Sequence, residues 1–141
     1  DLHEGGIRVP LLVRWPGTVK AKSQSDHISA HWDMLPTFCE LAGIESPKNI
    51  DGISMAATLC GDAGEQAKHD SLYWEYHGKV AARQGKWKAV GKRDGQGRPT
   101  TLELFDLEKD LGETNNIAAD HPGVIAEMKA IIAKSHTPPV K

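Results

Sequence analysis

The spacing of apolar positions changes twice along the chain. Ile7 to Trp15 is rich in branched residues, and Leu11, Leu12 and Val13 follow without interruption. Such a run predicts a strand covered on both faces, as in a sheet flanked by helices. Pro10 removes one backbone donor and so belongs at the start of that strand or at an irregular pairing, while Pro16-Gly17 ends it. From Met34 the period becomes helical, with Met34, Leu35, Phe38, Cys39, Leu41 and Ala42 in series. Asp33 is placed to cap the first free amides, Pro36 is tolerated in the first turn, and Gly43 supplies the stop. Residues from about Glu45 to Lys68 read as loop, with a turn at Asp51-Gly52 and a short helical piece over Ile53 to Leu59.

Beyond that loop the period falls to two. Ser71 to Tyr76, Val80 to Arg83, Lys86 to Val90 and Leu102 to Leu107 are four short strands joined by short connections, with Asp94-Gly95-Gln96-Gly97 at one hairpin tip. Short connections imply an antiparallel meander. Val124, Ile125, Met128, Ile131 and Ile132 then form one stripe behind a cap at Asp120, so a final helix should cover one face of the meander. Pro138-Pro139 should end the structure as a tail.

Composition narrows the functional classes. The 141 residues suffice for one compact domain or one and a half, and no apolar run approaches the roughly 18 residues of a bilayer span, which argues against a membrane partner. The 17 basic and 19 acidic residues leave a formal charge of −2, which gives no global attraction to nucleic acid or an anionic surface. The first residues carry no secretory signal, and the missing initiator Met predicts a piece of a longer chain. Cys39 and Cys60 have no CxxC or metal-ligand spacing. Cys39 falls on the apolar side of its helix, where a buried free thiol is expected.

Local motifs mostly favour plain structural readings. His27 and His31 stand four apart as in zinc helices, but lack the following Glu and a third ligand. Asp106 to Glu113 alternates carboxylates like a calcium loop, yet its Gly comes one place late and Ile117 occupies the closing position. A strand exit and turn whose carboxylates face water or receive backbone amides fits better. Gly95-Gln-Gly97 lacks the third Gly and the helix start of a phosphate cradle, and there is no Gly-x-Ser-x-Gly elbow. Lys79, Arg83, Lys86, Lys88, Lys92, Arg93 and Arg98 make a basic segment near Trp74, Tyr76 and Trp87. It could bind sulfated or phosphorylated groups, or be an ordinary solvated sheet face.

Glu4-Gly-Gly-Ile-Arg-Val-Pro10 with Val13-Arg-Trp-Pro-Gly17 resembles the late signature of the type I, formylglycine-dependent sulfatases of the alkaline phosphatase superfamily. Asp33-Met-Leu-Pro-Thr37 with Leu41-Ala-Gly43, Asp51-Gly-Ile-Ser54, and Tyr73-Trp-Glu75 leading to Ala82-Arg-Gln-Gly-Lys-Trp-Lys88 follow in the same order. Leu104-Phe-Asp-Leu107, Gly112-Glu113 and Asn116-Ile-Ala118 complete the series, with Leu111 where many relatives have Pro. The resemblance implies an α/β fold, α+β for this piece. Residues 1–66 would be the C-terminal strand and helix of the main mixed-sheet domain, and residues 67–141 a small four-stranded antiparallel subdomain with its final helix.

The same resemblance implies a parent that hydrolyses sulfate esters, carbohydrate esters among them, using a formylglycine nucleophile and calcium. Neither cysteine lies in a maturation motif and no Asp-Asp metal pair is present, so this chain is expected to hold no catalytic residue and no metal, and to be inactive alone. His3, Glu75 and His77 are the candidate substrate-side residues. Glu4, Gly5 and Gly6 would shape the backbone, and Arg8 and Arg14 would form ion pairs. Rival readings are a recognition module for sulfated polysaccharide and a phosphate or phosphonate ester hydrolase. By analogy with relatives the location would be periplasmic or secreted. Ile7 to Trp15, if stripped of sheet neighbours, should seek a substitute partner such as a second copy.

Overall fold

The computed structural model describes residues 1–137, so the tail expected at Pro138-Pro139 lies outside the described residues. The chain divides into two compact units, one built from Asp1–Pro10 together with the chain from Asp70 onward, the other from Leu11–His69.

The first unit is the predicted meander. Strands β1 (Leu72–Tyr76), β2 (Lys79–Gln84), β3 (Trp87–Arg93) and β4 (Pro99–Asp106) pair antiparallel in sequence order. Tyr76 pairs with Lys79, so His77 and Gly78 alone make the first turn. Both have positive φ, +46° and +74°, which matches the right-handed twist of the strands it joins. On one face Val80, Ala82, Ala89 and Leu104 pack against Met128 and Ile132 of helix α4 (Pro122–Ser135). On the other, Ala81, Val90, Phe105 and Leu107 receive Leu2, with Ile7 and Trp74 beside them. The period-two pattern therefore reports two buried faces, one of them covered by the chain's first residues. Helix α4 starts later than the Asp120 cap predicts. Pro122 is its first residue, its missing donor harmless there, and His121 takes the preceding position without a side-chain cap.

The strand expected over Ile7 to Trp15 does not form. A one-turn helix, α1 (Glu4–Ile7), occupies its start, and residues 8–15 adopt no regular structure. A strand needs a neighbour for its backbone donors and acceptors, and among the described residues this segment has none. Val9 and Leu12 stand 76% and 91% exposed. The burial written into the sequence is unmet in the chain as described.

In the second unit helix α2 (Met34–Leu41) follows a 3₁₀ turn at His31–Asp33, and Gly43, at φ +69°, ends it in the left-handed conformation that Gly adopts without strain. Thr37 and Cys39 are buried, while Phe38 is 62% exposed. Asp33 does not cap α2. It has helical backbone angles, and its carboxylate turns toward the loop to accept the amides of Ala30 at 2.7 Å and Ile53 at 2.9 Å. The predicted helical piece is α3 (Ala56–Cys60). Gln66 staples the loop around it, donating to the Ser54 carbonyl and accepting from the amide and hydroxyl of Thr58. Both cysteines are free, Cys39 buried and Cys60 exposed.

Candidate functional site

The first unit carries the three candidate substrate-side residues, and the fold gives each a different setting. His3 precedes α1. Its Nδ1 lies 3.0 Å from Asp1 Oδ1, and its ring meets the Phe105 ring edge-on with centroids 6.1 Å apart. Asp1 Oδ1 also lies 3.5 Å from Lys79 Nζ, so His3 is tied to the end of the sheet where β2 begins. His77 occupies the β1–β2 turn, exposed, with its ring 4.2 Å from that of Tyr76. A side chain bearing a Cβ is uncommon at such a turn position, and a left-handed non-glycine residue marks a place to look for function.

Glu75 is differently employed. Its side chain points toward the α4 side of the sheet, where it accepts from Tyr73 Oη, lies 2.7 Å from His136 Nδ1 and pairs with Arg93 Nη2 at 2.6 Å. Burial pushes its carboxyl up, but the hydrogen bonds from Tyr73 and His136 and the Arg93 charge outweigh that and hold it below the usual carboxylate range. Burial, followed by the hydrogen bond to Glu75, raises the Tyr73 phenol well above its ordinary range. The structure thus links His3 through Asp1 to Lys79 at the start of β2, leaves His77 exposed in the turn, and engages Glu75 in a separate cluster.

The least expected feature is buried beneath His3. Lys88, in the middle of β3, has no solvent exposure. Its Nζ lies 2.7 Å from Glu4 Oε1 and 3.0 Å from Glu113 Oε1, while the Glu113 carboxylate also accepts the Glu4 amide. Arg83 and Arg8 stand 3.8 and 3.7 Å from Glu4 Oε2. The sequence reading assigned Glu4 to backbone shape, Lys88 to the basic face and Glu113 to a turn. One signal could have found the cluster: Lys88 occupies an interior position of a strand flanked by Trp87 and Ala89, where a cation survives only if paired. Gly6 is explained separately, since a Cβ there would collide with the Asp1 carbonyl. Arg8 is in an ion pair as expected, whereas Arg14 has no partner among the described residues.

The basic segment is largely neutralised. Lys79 faces Asp1, Arg83 and Lys88 face Glu4, Lys86 faces Asp106, Arg93 faces Glu75 and Arg98 faces Asp94. Of the seven cations, Lys92 is the one with no carboxylate partner among the described residues. The sheet is therefore not a cationic platform, and the polysaccharide-module reading loses the feature on which it rested. The Asp106 to Glu113 run is the predicted turn. Asp110 accepts the amides of Thr114 and Asn115 at 2.9 and 2.8 Å, bonds that hold its carboxyl below the ordinary range.

In the second unit His69 Nε2 lies 2.9 and 3.0 Å from the two Asp33 oxygens. Burial lowers the His27 imidazole, partly opposed by the Asp33 charge. Among the described residues no three His, Cys, Asp or Glu side chains converge as a metal would require. The residues present therefore do not fit a calcium cage, and neither Cys39 nor Cys60 lies in a formylglycine maturation motif.

Comparison with known proteins bears on this arrangement. The sequence profile of the family described as N-sulphoglucosamine sulphohydrolase, C-terminal, matches residues 2–137. Arylsulfatase K of Mus musculus is 35% identical over 88% of this chain and 24% of its own length. The delta 4,5-hexuronate-2-O-sulfatase of Bacteroides thetaiotaomicron is 32% identical over 94% of this chain and 29% of its own length. A solved structure from the Bacteroides thetaiotaomicron locus for glycosaminoglycan metabolism superposes with a TM-score of 0.75 at 24% identity, covering 93% of this chain and 29% of that one, a likeness of fold. The chain spans roughly a quarter of the curated relatives' length. With the profile running from Leu2 through the last described residue, the chain belongs to the sulfatase family described as N-sulphoglucosamine sulphohydrolase, C-terminal.

Proposed function

We propose that the chain supplies the supporting sheet and one wall of the substrate pocket in an enzyme that hydrolyses sulfate esters of carbohydrates. The observation that carries this reading is the profile match over residues 2–137, reinforced by a relative whose name specifies a sulfated hexuronate. In this reading residues 67–141 form the small subdomain with Asp1–Pro10 packed into it, and the intervening residues up to 66 complete the main domain. Formylglycine and calcium would act from parts of the complete enzyme other than these residues.

The contribution of this chain is then positional. The His3 and His77 imidazoles offer hydrogen bonds to sugar hydroxyls and ester oxygens, and the exposed Tyr76 ring beside His77 offers an apolar face. Glu75 buttresses the hairpin from the other side of the sheet through Tyr73, Arg93 and His136. A periplasmic or secreted location belongs to the same proposal.

Turnover of an aryl sulfate ester should require the protein encoded by the complete gene and be absent from this chain alone. Metal-dependent turnover by residues 1–141 would overturn the division of labour. In the complete protein, His77→Ala should raise KM for a sulfated sugar while leaving a small aryl sulfate nearly unaffected. Equal KM values for both substrates before and after the change would remove His77 from the pocket.

A further inference from the structure

We infer that Lys88 is a positioning residue for His3: its ammonium, shared between Glu4 and Glu113, holds α1 in one orientation on the sheet and so aims the imidazole that precedes it. The inference rests on the reading of His3 as a substrate-side residue and adds the device that places it.

The geometry connects the two directly. Glu4 is the first residue of α1 and the neighbour of His3, and both its amide and one oxygen of its carboxylate are captured. Its amide donates to the Glu113 carboxylate and its own carboxylate meets Lys88 at 2.7 Å. The His3 carbonyl accepts from Gly6 at 2.8 Å and Ile7 at 3.2 Å, so His3 is locked to the turn that Glu4 begins. In sheet register Lys88 stands opposite Phe105, whose ring is the surface on which the His3 ring rests. Lys88 thus holds the residue that follows His3 and sits in register with the residue whose ring His3 meets. Glu113 reaches the cluster from a left-handed backbone conformation, φ +53°, which a non-glycine residue adopts at a cost.

Stability alone accounts poorly for such a cluster. Buried ion pairs lose in desolvation most of what they gain in attraction, and apolar replacements of similar volume are often as stable or more so. What a charged cluster adds is direction. Leu2 and Ile7 could pack on Ala81, Val90 and Phe105 in several orientations of α1, whereas the Lys88 ammonium meets two carboxylates in only one.

The test uses the 141-residue chain, with amide hydrogen exchange and the NMR shifts of the His3 ring. In Lys88→Met, Glu4 and Glu113 lose their common cation, and the amides of Gly6, Ile7 and Arg8 should exchange at least about tenfold faster. The ring-current shift of His3 from Phe105 should be lost as the β3 and β4 amides keep their protection. Lys88→Arg should recover part of both. Should Lys88→Met fail to fold, the combination Glu4→Gln, Lys88→Met, Glu113→Gln, which removes the buried cation with both its carboxylates and leaves Arg8 and Arg83 in place, decides. It should fold as stably as the parent yet leave α1 fast-exchanging and the His3 shift absent. Unchanged exchange at Gly6 to Arg8, or a triple variant that restores both protection and ring shift, would overturn the inference. The reading of His3 is tested separately by His3→Ala in the complete protein, where an unchanged KM would sink it and leave the clamp untouched.

Discussion

Glu75 offers the sharpest test of how the candidate residues divide between structure and substrate. Glu75→Ala removes one carboxylate that Tyr73, His136 and Arg93 share, and leaves the Arg93 guanidinium, whose buried Nε already lacks a partner, without its counter-charge. A hydrogen bond to a charged group contributes about 1.5–3 kcal/mol when well buried. The Glu75 side chain is 26% exposed and its bonds are coupled, so they do not add in full. Glu75 is an exposed residue of β1 and solvent screens its partners, so the expected loss is about 1–2 kcal/mol, and about half of that for Glu75→Gln, which keeps a hydrogen-bond acceptor. The pH dependence has a definite sign. Because the folded carboxyl is held below its ordinary value of 4.5, its contribution is complete above that value and is lost as pH falls through the lowered one. Urea melts at pH 7 and pH 3 should therefore show a gap between parent and variant at neutrality that shrinks in acid. A gap at pH 7 within about 0.5 kcal/mol, the range of ordinary surface changes, would show that Glu75 is not a buttress. It would return Glu75 to the list of residues free to meet substrate.

Further outcomes follow from the packing and charge pattern. Leu104→Ala, at a position with no exposure between the sheet and α4, should cost about 2–5 kcal/mol in a denaturant melt. A loss under 1 kcal/mol would mean that α4 packs differently. Because all but one of the basic-segment cations face a carboxylate, the chain should elute from heparin below physiological ionic strength; strong, salt-sensitive retention would revive the polysaccharide-module reading. The exposed apolar run from Val9 to Trp15 should drive self-association that light scattering detects at micromolar concentration and that Leu12→Lys weakens. A strictly monomeric parent would count against a role for that run in pairing copies.

The meander and its final helix were legible because alternating burial is a local signal. Val80 and Ala82 face one way, Ala81 and Arg83 the other, and the sequence records this residue by residue. The one-turn helix at Glu4 was not legible, since four residues carry too little periodicity to compete with the branched run that follows. The failed strand shows the converse. Leu11 to Val13 states correctly that burial is wanted, but pairing depends on a neighbour that no local pattern can supply. At the candidate site, residue types were readable and partners were not. Lys88, Glu4 and Glu113 are far apart in sequence, and nothing along the chain announces that they meet. Asp33 was recognised as a helix-start residue, but its carboxylate serves Ile53 and His69 instead, contacts that only the folded loop creates.

The far face of the sheet is roofed by Asp1–Pro10, yet residues 11–69 intervene before the sheet begins. Growth of that intervening stretch is cheap, since doubling a loop adds only about 0.6 kcal/mol of closure entropy. Severing it from the roof is not: a chain cut to begin at Asp70 would take Glu4 from Lys88 and bare Val90 and Phe105 to water. Recombination or truncation that respects this architecture has to carry both segments together, so the heritable module is discontinuous and a border drawn at Asp70 passes through its middle.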